Sequence, residues 1–144
     1  MEMATAPARL RGTPSWLLSQ AAAHTGRHVG DGLAAVGARR WHYSLLAALA
    51  EFGPASQAEL GRRCGIDRSD VVAMLNELGA DDLIRREPDP ADRRRNIIRI
   101  TPAGLRHLER LDEVLAAAQD AALAPLSAAE RAELVRLLTR VLAS

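Results

Sequence analysis

The sequence predicts a mainly α fold with one small β-hairpin. Three observations carry that expectation. Apolar residues recur at helical spacing through most of the chain, capping signals and Gly/Pro breaks cut these stretches into separate helices, and only residues 83–100 hold two short β-rich runs around a polar, proline-containing segment. At 144 residues the chain fits one domain able to bury a core without staples.

Residues 1–14 mix Ala, Pro, Thr, Gly and Arg without periodicity and are expected as a flexible N-terminal arm. From Trp16 to about Val36, Leu17, Leu18, Ala21, Ala22, Val29, Leu33 and Val36 keep helical spacing, weakened by Gly26, Gly30 and Gly32. A second helix, dense in Leu and Ala, runs from about Trp41 to Phe52 and stops at Gly53-Pro54. Ser56-Gln57-Ala58-Glu59 has the form of a capping box and opens a short third helix at Gln57 that ends near Gly65. Asp67 stands at the next N-cap position, before Arg68, Ser69, Asp70 and the apolar series Val71, Val72, Leu75, Leu78. Two helices joined by a tight Gly-containing turn have the form of a helix-turn-helix, whose second helix enters a DNA major groove.

Leu83–Glu87 and Asn96–Ile100 read as strands of a hairpin whose tip carries Arg93, Arg94 and Arg95. Thr101-Pro102 then opens a long helix, threonine as cap and proline where its missing N–H costs nothing. Leu105, Leu108, Leu111, Leu115, Ala118 and Ala122 form a seam along it until Pro125. A second capping box, Ser127 to Glu130, starts a last helix with Leu134, Leu137, Leu138, Val141 and Leu142 on one face.

The longest apolar runs, Leu45–Ala50 and Val114–Ala118, are far too short to span a bilayer, and no apolar stretch near the N-terminus suits a signal peptide, so a cytoplasmic location is expected. The single cysteine, Cys64, suits a reducing compartment and reads as a small buried residue, although Arg62 and Arg63 beside it can lower its pKa. The net charge is only +1, but residues 83–110 carry eight arginines against four acids. All 19 basic side chains are arginine, a bias that a GC-rich genome or bidentate phosphate contact would equally produce. No nucleophile with its base, phosphate-binding glycine loop or metal-ligand set is present, so the chain is not expected to be an enzyme or to hold a cofactor. His24 and His28 lie one helical turn apart, yet no cysteine or carboxylate cluster joins them, and no metal site is expected.

The order of elements resembles the MarR family of bacterial transcriptional regulators over roughly residues 16–143. The most specific likeness is Asp89-Pro90-Ala91-Asp92-Arg93-Arg94-Arg95 followed by Ile98-Arg99-Ile100-Thr101-Pro102-Ala103-Gly104, which is similar to the family's wing and the helix start after it. Around Gly79-Ala80-Asp81-Asp82 the chain departs from the basic, Gly-ended turn common in the family. The resemblance implies a winged helix-turn-helix with a helical dimerisation region: residues 15–38 and 101–144 for dimerisation, and 39–100 for DNA binding. It implies a homodimer on a palindromic operator, probed at the recognition helix by Arg68, Ser69, Asp70, Ala73 and Met74 and at a phosphate by Ser56 and Gln57. It also implies that Asp92 orients Arg94 into the minor groove, where narrow A·T-rich DNA concentrates negative potential, with Arg93 and Arg95 beside it.

For Asp70, support of the helix N-terminus is favoured over acceptance from a cytosine. Trp16, His28, Trp41, His42 and Tyr43 lie, by resemblance, where a flat aromatic effector would stack, while Trp41 and Tyr43 equally suit the core. The function expected is a repressor released by a small molecule. Alternatives are the same fold without an effector, or a redox- or metal-responsive regulator.

Overall fold

The computed structural model describes residues 3–143. Its elements are a 3₁₀ turn at Met3–Thr5, α1 (Ala8–Arg11), α2 (Pro14–Ala35), α3 (Arg40–Phe52), β1 (Ala55–Ser56), α4 (Gln57–Cys64), α5 (Arg68–Ala80), β2 (Ile84–Pro88), β3 (Asn96–Ile100), α6 (Pro102–Ala122) and α7 (Ala128–Leu142). The stretch expected as a flexible arm therefore holds local structure, with Ala6 buried and the Thr13 hydroxyl donating to the Arg9 carbonyl at 2.6 Å. The hairpin is also part of a larger sheet. The two residues of β1 pair antiparallel with β3, Ala55 opposite Ile98, giving the order β1-β3-β2.

The chain divides into two compact units, one of residues up to 32 with those from 116 onward, the other of residues 33–115. The boundaries between them fall inside α2 and α6. In the 33–115 unit the core is Leu33, Leu45, Leu46 and Leu49 with Leu60, Val71, Leu75, Leu78, Ile84, Ile98 and Leu111, none more than 4% exposed. Each helix turns one apolar stripe inward. In the sheet, Ile84 and Ile98 point into that core while Arg85 and Arg99 face each other across the ladder on the opposite side. The other unit buries less: Ala118 and Ala122 are covered, but no residue of α7 is buried. Its polar ties are the His24 ring to the Ala122 carbonyl at 2.9 Å and Arg131 to Asp120 at 2.6 Å.

The helix ends follow the sequence signals with two exceptions. Ser127 and Glu130 form the full reciprocal box. Ser56 accepts from the Glu59 N–H at 3.2 Å, but Glu59 does not reach back. Asp67 occupies the N-cap of α5 with extended backbone, yet its side chain caps nothing, and the carboxylate stays in solvent.

The junction between α5, β2 and α6 is the tightest in the fold. The Thr101 hydroxyl donates to the Asp82 carbonyl at 2.7 Å and accepts from the Gly104 N–H at 3.0 Å, while its own N–H donates to the Leu83 carbonyl at 3.1 Å. A Cβ on Gly104 would be driven into that Leu83 carbonyl oxygen and would lie 2.7 Å from Ile100 Cγ1. Here backbone packs on backbone, and only glycine fits. Opposite it, Asp82 takes a left-handed φ of 57°, the position where the resemblance leads one to look for glycine. Aspartate tolerates this region better than most residues.

The expected consequence is an asymmetry. Gly104→Ala should cost roughly 2–3 kcal/mol through overpacking, whereas Asp82→Gly should raise stability by up to about 1 kcal/mol by relieving the left-handed backbone. Urea denaturation of both variants beside the parent checks this.

Candidate nucleic-acid interface

The helix-turn-helix is set by one residue, Gly65. It closes α4 in the left-handed region at φ 66°, its N–H on the Gly61 carbonyl, and the Ile66 N–H bonds the same carbonyl at 2.9 Å. The chain reverses within three residues and α5 begins at Arg68. Val71, Met74, Leu75 and Leu78 turn into the core, so the outward face of α5 is built from Arg68, Ser69, Asp70, Val72, Ala73 and Asn76. Met74 is only 6% exposed, which removes it from the expected base-reading residues. It lies three residues after Val71 and four before Leu78, on the inward stripe, and cannot also face a groove. Asp70 sits exposed in the first turn, where an acid favours the helix N-terminus.

Between α4, α5 and the wing lies an open groove of about 640 Å³ lined by Ser56, Gln57, Arg62, Arg68, Arg86 and Arg95 among others. Four guanidinium groups on one concavity make it an anion-seeking surface. Ser56 lines it but is buried, its hydroxyl oxygen accepting the α4 cap bond; half-buried Gln57 and exposed Arg68 are the more accessible members. The sequence marked Arg62 only as a neighbour of Cys64, and it did not mark Arg86 at all. Arg86 alternates with Arg85 along β2 and so shares the face of Ile84 and Ile98, a position that strand periodicity does reveal once the register is known. Its Nη2 donates to Asn76 Oδ1 of the recognition helix at 2.8 Å, pinning the helix to the wing.

The wing tip contains two aspartate–arginine pairs with different surroundings. Asp89 is 7% exposed; its carboxylate accepts from the Ala91 N–H at 2.9 Å and from Arg95 Nε at 2.7 Å, while its N–H donates to the Arg95 carbonyl. This pair closes the loop. Asp92 holds Arg94 through its backbone N–H at 3.1 Å and through Nε and Nη2 at 3.0 and 3.3 Å, yet the Arg94 side chain is 91% exposed. The guanidinium is oriented and presented to solvent. Arg93, also exposed, has no such partner among the described residues.

Both carboxylates are held below the usual range: Asp89 by the Ala91 N–H first and Arg95 second, Asp92 by the Arg94 side chain first and its N–H second.

The aromatic and cysteine candidates separate clearly. His42 is buried; its Nδ1 accepts from the Arg39 N–H at 3.1 Å and its Nε2 donates to Glu77 Oε2 at 2.6 Å, so neither nitrogen is free for an effector. The Tyr43 hydroxyl donates to Asp112 at 2.7 Å, and that bond, with burial, pushes the phenol above its ordinary pKa. Trp41 is 37% exposed, Trp16 and His28 are half-buried, and His28 stands edge-on to His24 with ring centroids 5.0 Å apart. Cys64 donates to the Ser44 carbonyl at 3.5 Å, and burial pushes its thiol up against a smaller opposite pull from Arg63. The lowering that Arg62 and Arg63 could supply is outweighed by burial: Arg62 lines the groove, and Arg63 stacks over Phe52 at 4.2 Å.

Two tests follow from this geometry. Because the Asp89 carboxyl is depressed in the folded chain, the order it confers on the wing is fully present above the unfolded value of about 3.9 and is lost only as pH falls through the lower folded value. A carboxyl-carbon NMR titration should place the Asp89 midpoint below about 3.9, with no change in the wing between neutral pH and pH 5; a midpoint at or above that value would mean that neither the Ala91 N–H nor Arg95 holds the carboxylate. Cys64 should alkylate with iodoacetamide at neutral pH more slowly than free cysteine.

Residues 37–95 match the MarR family model. The HTH-type transcriptional repressor NicR of Pseudomonas putida is 31% identical over 99 residues, 69% of this chain and 63% of that protein. The chain spans 60% and 63% of the lengths of two curated relatives it matches. Among solved structures, a probable transcriptional regulator from Pseudomonas aeruginosa superposes with a TM-score of 0.81 at 32% identity, covering 92% of this chain and 99% of that one. The PcaV transcriptional regulator of Streptomyces coelicolor, solved with its natural ligand, gives a TM-score of 0.73 at 29% identity over 97% of this chain and 99% of its own. With the wing, the glycine-closed turn and the Thr101–Gly104 junction all in place, the chain belongs to the MarR family of winged helix-turn-helix regulators.

Proposed function

We propose that this chain is a cytoplasmic, sequence-specific DNA-binding regulator, a homodimeric repressor that a small aromatic effector releases from a palindromic operator. The observation that carries the reading is Arg94: a guanidinium held on two nitrogens by Asp92, almost fully exposed, at the tip of a wing beside a helix-turn-helix. Such a group is preorganised for a narrow minor groove, and Arg68, Ser69 and Gln57 stand on the accessible face where a major groove would lie. Arg62, Arg86, Arg93 and Arg95 supply positive charge for the backbone between them.

Dimerisation is supported by α7, where Val135, Leu137, Val141 and Leu142 are 62%, 45%, 59% and 85% exposed. A helix with an apolar face and no buried residue is complete only against another chain. A two-fold dimer places two recognition helices on two half-sites, hence the palindrome. The repressor and effector parts of the reading draw on NicR, described as a repressor, and on PcaV, solved with its natural ligand. Trp16, His28 and Trp41 are the effector-contact candidates, since His42 and Tyr43 commit their polar ends within the chain. Family relatives are transcriptional regulators, and the proposed role is regulation, not catalysis. No helix among the described residues is long and apolar enough to cross a membrane.

Fluorescence anisotropy on the DNA upstream of the chain's own gene, at two salt concentrations, tests the reading. Specific binding should weaken steeply with salt, and Arg94→Ala should cost roughly tenfold or more, corresponding to about 1–3 kcal/mol. Equal affinity for random DNA would remove it. Small aromatic compounds should weaken operator binding; if none does, the effector-free reading takes its place.

A further inference from the structure

The start of α3 touches two other helices through adjacent residues, a feature that the DNA-facing groove does not account for. His42 bonds Glu77 of the recognition helix at 2.6 Å, and Tyr43, the next residue, bonds Asp112 of α6 at 2.7 Å. Arg39 adds a looser contact to the other oxygen of Glu77 at 3.8 Å.

The first of these bonds is unusually determined. The Arg39 N–H can only donate, so the His42 nitrogen facing it at 3.1 Å carries no proton. The proton therefore sits on Nε2 and points at Glu77. The ring is buried at 8% exposure, so its orientation is fixed by packing as well as by both nitrogens. Glu77 in turn lies on the half-exposed flank of α5, one turn beyond Ala73. Rotation of α5 about its axis would carry Ala73, Asn76 and Glu77 together, and the hydrogen bond to His42 resists that rotation. Apolar contacts from Val71, Leu75 and Leu78 hold α5 in place but tolerate small rotations, because dispersion has no preferred direction. A charge-assisted hydrogen bond has one.

We propose that His42 and Glu77 are positioning residues for DNA recognition: together with the Arg86–Asn76 bond to the wing, their bond fixes the rotational setting of the recognition helix, and Tyr43–Asp112 refers that setting to α6. The proposal rests on the DNA-binding reading above and assigns to these side chains no contact with DNA. The consequence is specific. Loss of the bond should degrade base readout, which needs registered side chains, and spare backbone attraction, which needs only charge.

The experiment compares full-length parent, Glu77→Ala, Glu77→Gln and Tyr43→Phe by anisotropy on operator DNA and on a random duplex of the same length. Glu77→Ala should lose roughly tenfold in operator affinity with random-duplex affinity within about twofold of the parent. Glu77→Gln, whose amide oxygen still accepts from Nε2–H, should recover most of that loss. Tyr43→Phe should show a smaller loss of the same selective kind. Thermal melts of the four proteins separate this from unfolding, which would lower both affinities in proportion to the folded fraction. The proposal is overturned if Glu77→Ala matches the parent on the operator, if both affinities fall together in a folded protein, or if Glu77→Gln behaves like Glu77→Ala. A parent that does not prefer operator over random DNA would instead overturn the regulator reading itself.

Discussion

The constraint on which the rest of the 33–115 unit depends is the close approach of Gly104 to the Leu83 carbonyl, locked by the Thr101 hydroxyl. Three elements meet there. Asp82 and Leu83 carry the chain out of the recognition helix into β2; Ile100 and Thr101 carry it out of β3 into α6. Because Thr101 bonds both Asp82 and Leu83, the end of α5, the base of the wing and the start of α6 have one relative geometry. On the proposed DNA-binding reading the wing tip has to keep a fixed distance from the recognition helix, since the two would meet neighbouring grooves of one duplex. The junction supplies that fixed base, and the Arg86–Asn76 bond repeats the constraint halfway out.

At the far end of the wing the same chemical pair is used for two purposes. Asp89, its side chain only 9% exposed, accepts from Arg95 and ties one flank of the loop to the other, so that pair acts as structure; Asp92–Arg94 leaves its guanidinium in water, so it acts as presentation. An exposed ion pair contributes little to stability. Its value is conformational: an arginine already held in one orientation loses less side-chain entropy when it enters a groove. The inner pair makes the outer one possible, because a loop whose flanks separate cannot aim anything.

Much of this was legible in the sequence, for physical reasons that also explain the failures. Helix boundaries marked by Gly53-Pro54, Gly65, Thr101-Pro102 and Ser127 through Glu130 are local chemistry, and local chemistry is written in consecutive residues. The strand β1 has only two residues and exists through pairing with β3, a partner some forty residues away, so no local pattern announces it. Met74 was readable and misassigned: its spacing from Val71 and Leu78 already put it on the inward face. Asp67 shows the opposite limit, since residue type at an N-cap gives a preference and not a bond. For the candidate site, the resemblance singled out Asp92 and Arg94, but Arg62 and Arg86 required the tertiary arrangement that brings a helix and a strand to one groove.

His42 illustrates why residue type alone misleads at such sites. An aromatic, titratable side chain near a helix start suggests a ligand contact, and nothing in the neighbouring sequence argues against it. The decisive facts are two partners, one three residues away and one 35 residues away, that together consume both ring nitrogens. A core built only from leucine and valine would hold α3 and α5 together at equal or greater stability, because a buried polar link gains little net free energy over apolar packing. What it adds is direction. On the proposed reading, in which a few side chains meet base edges, an error in helix rotation would cost affinity even when the helix remains fully folded, so a directional bond at that position would answer a need that stability alone does not create.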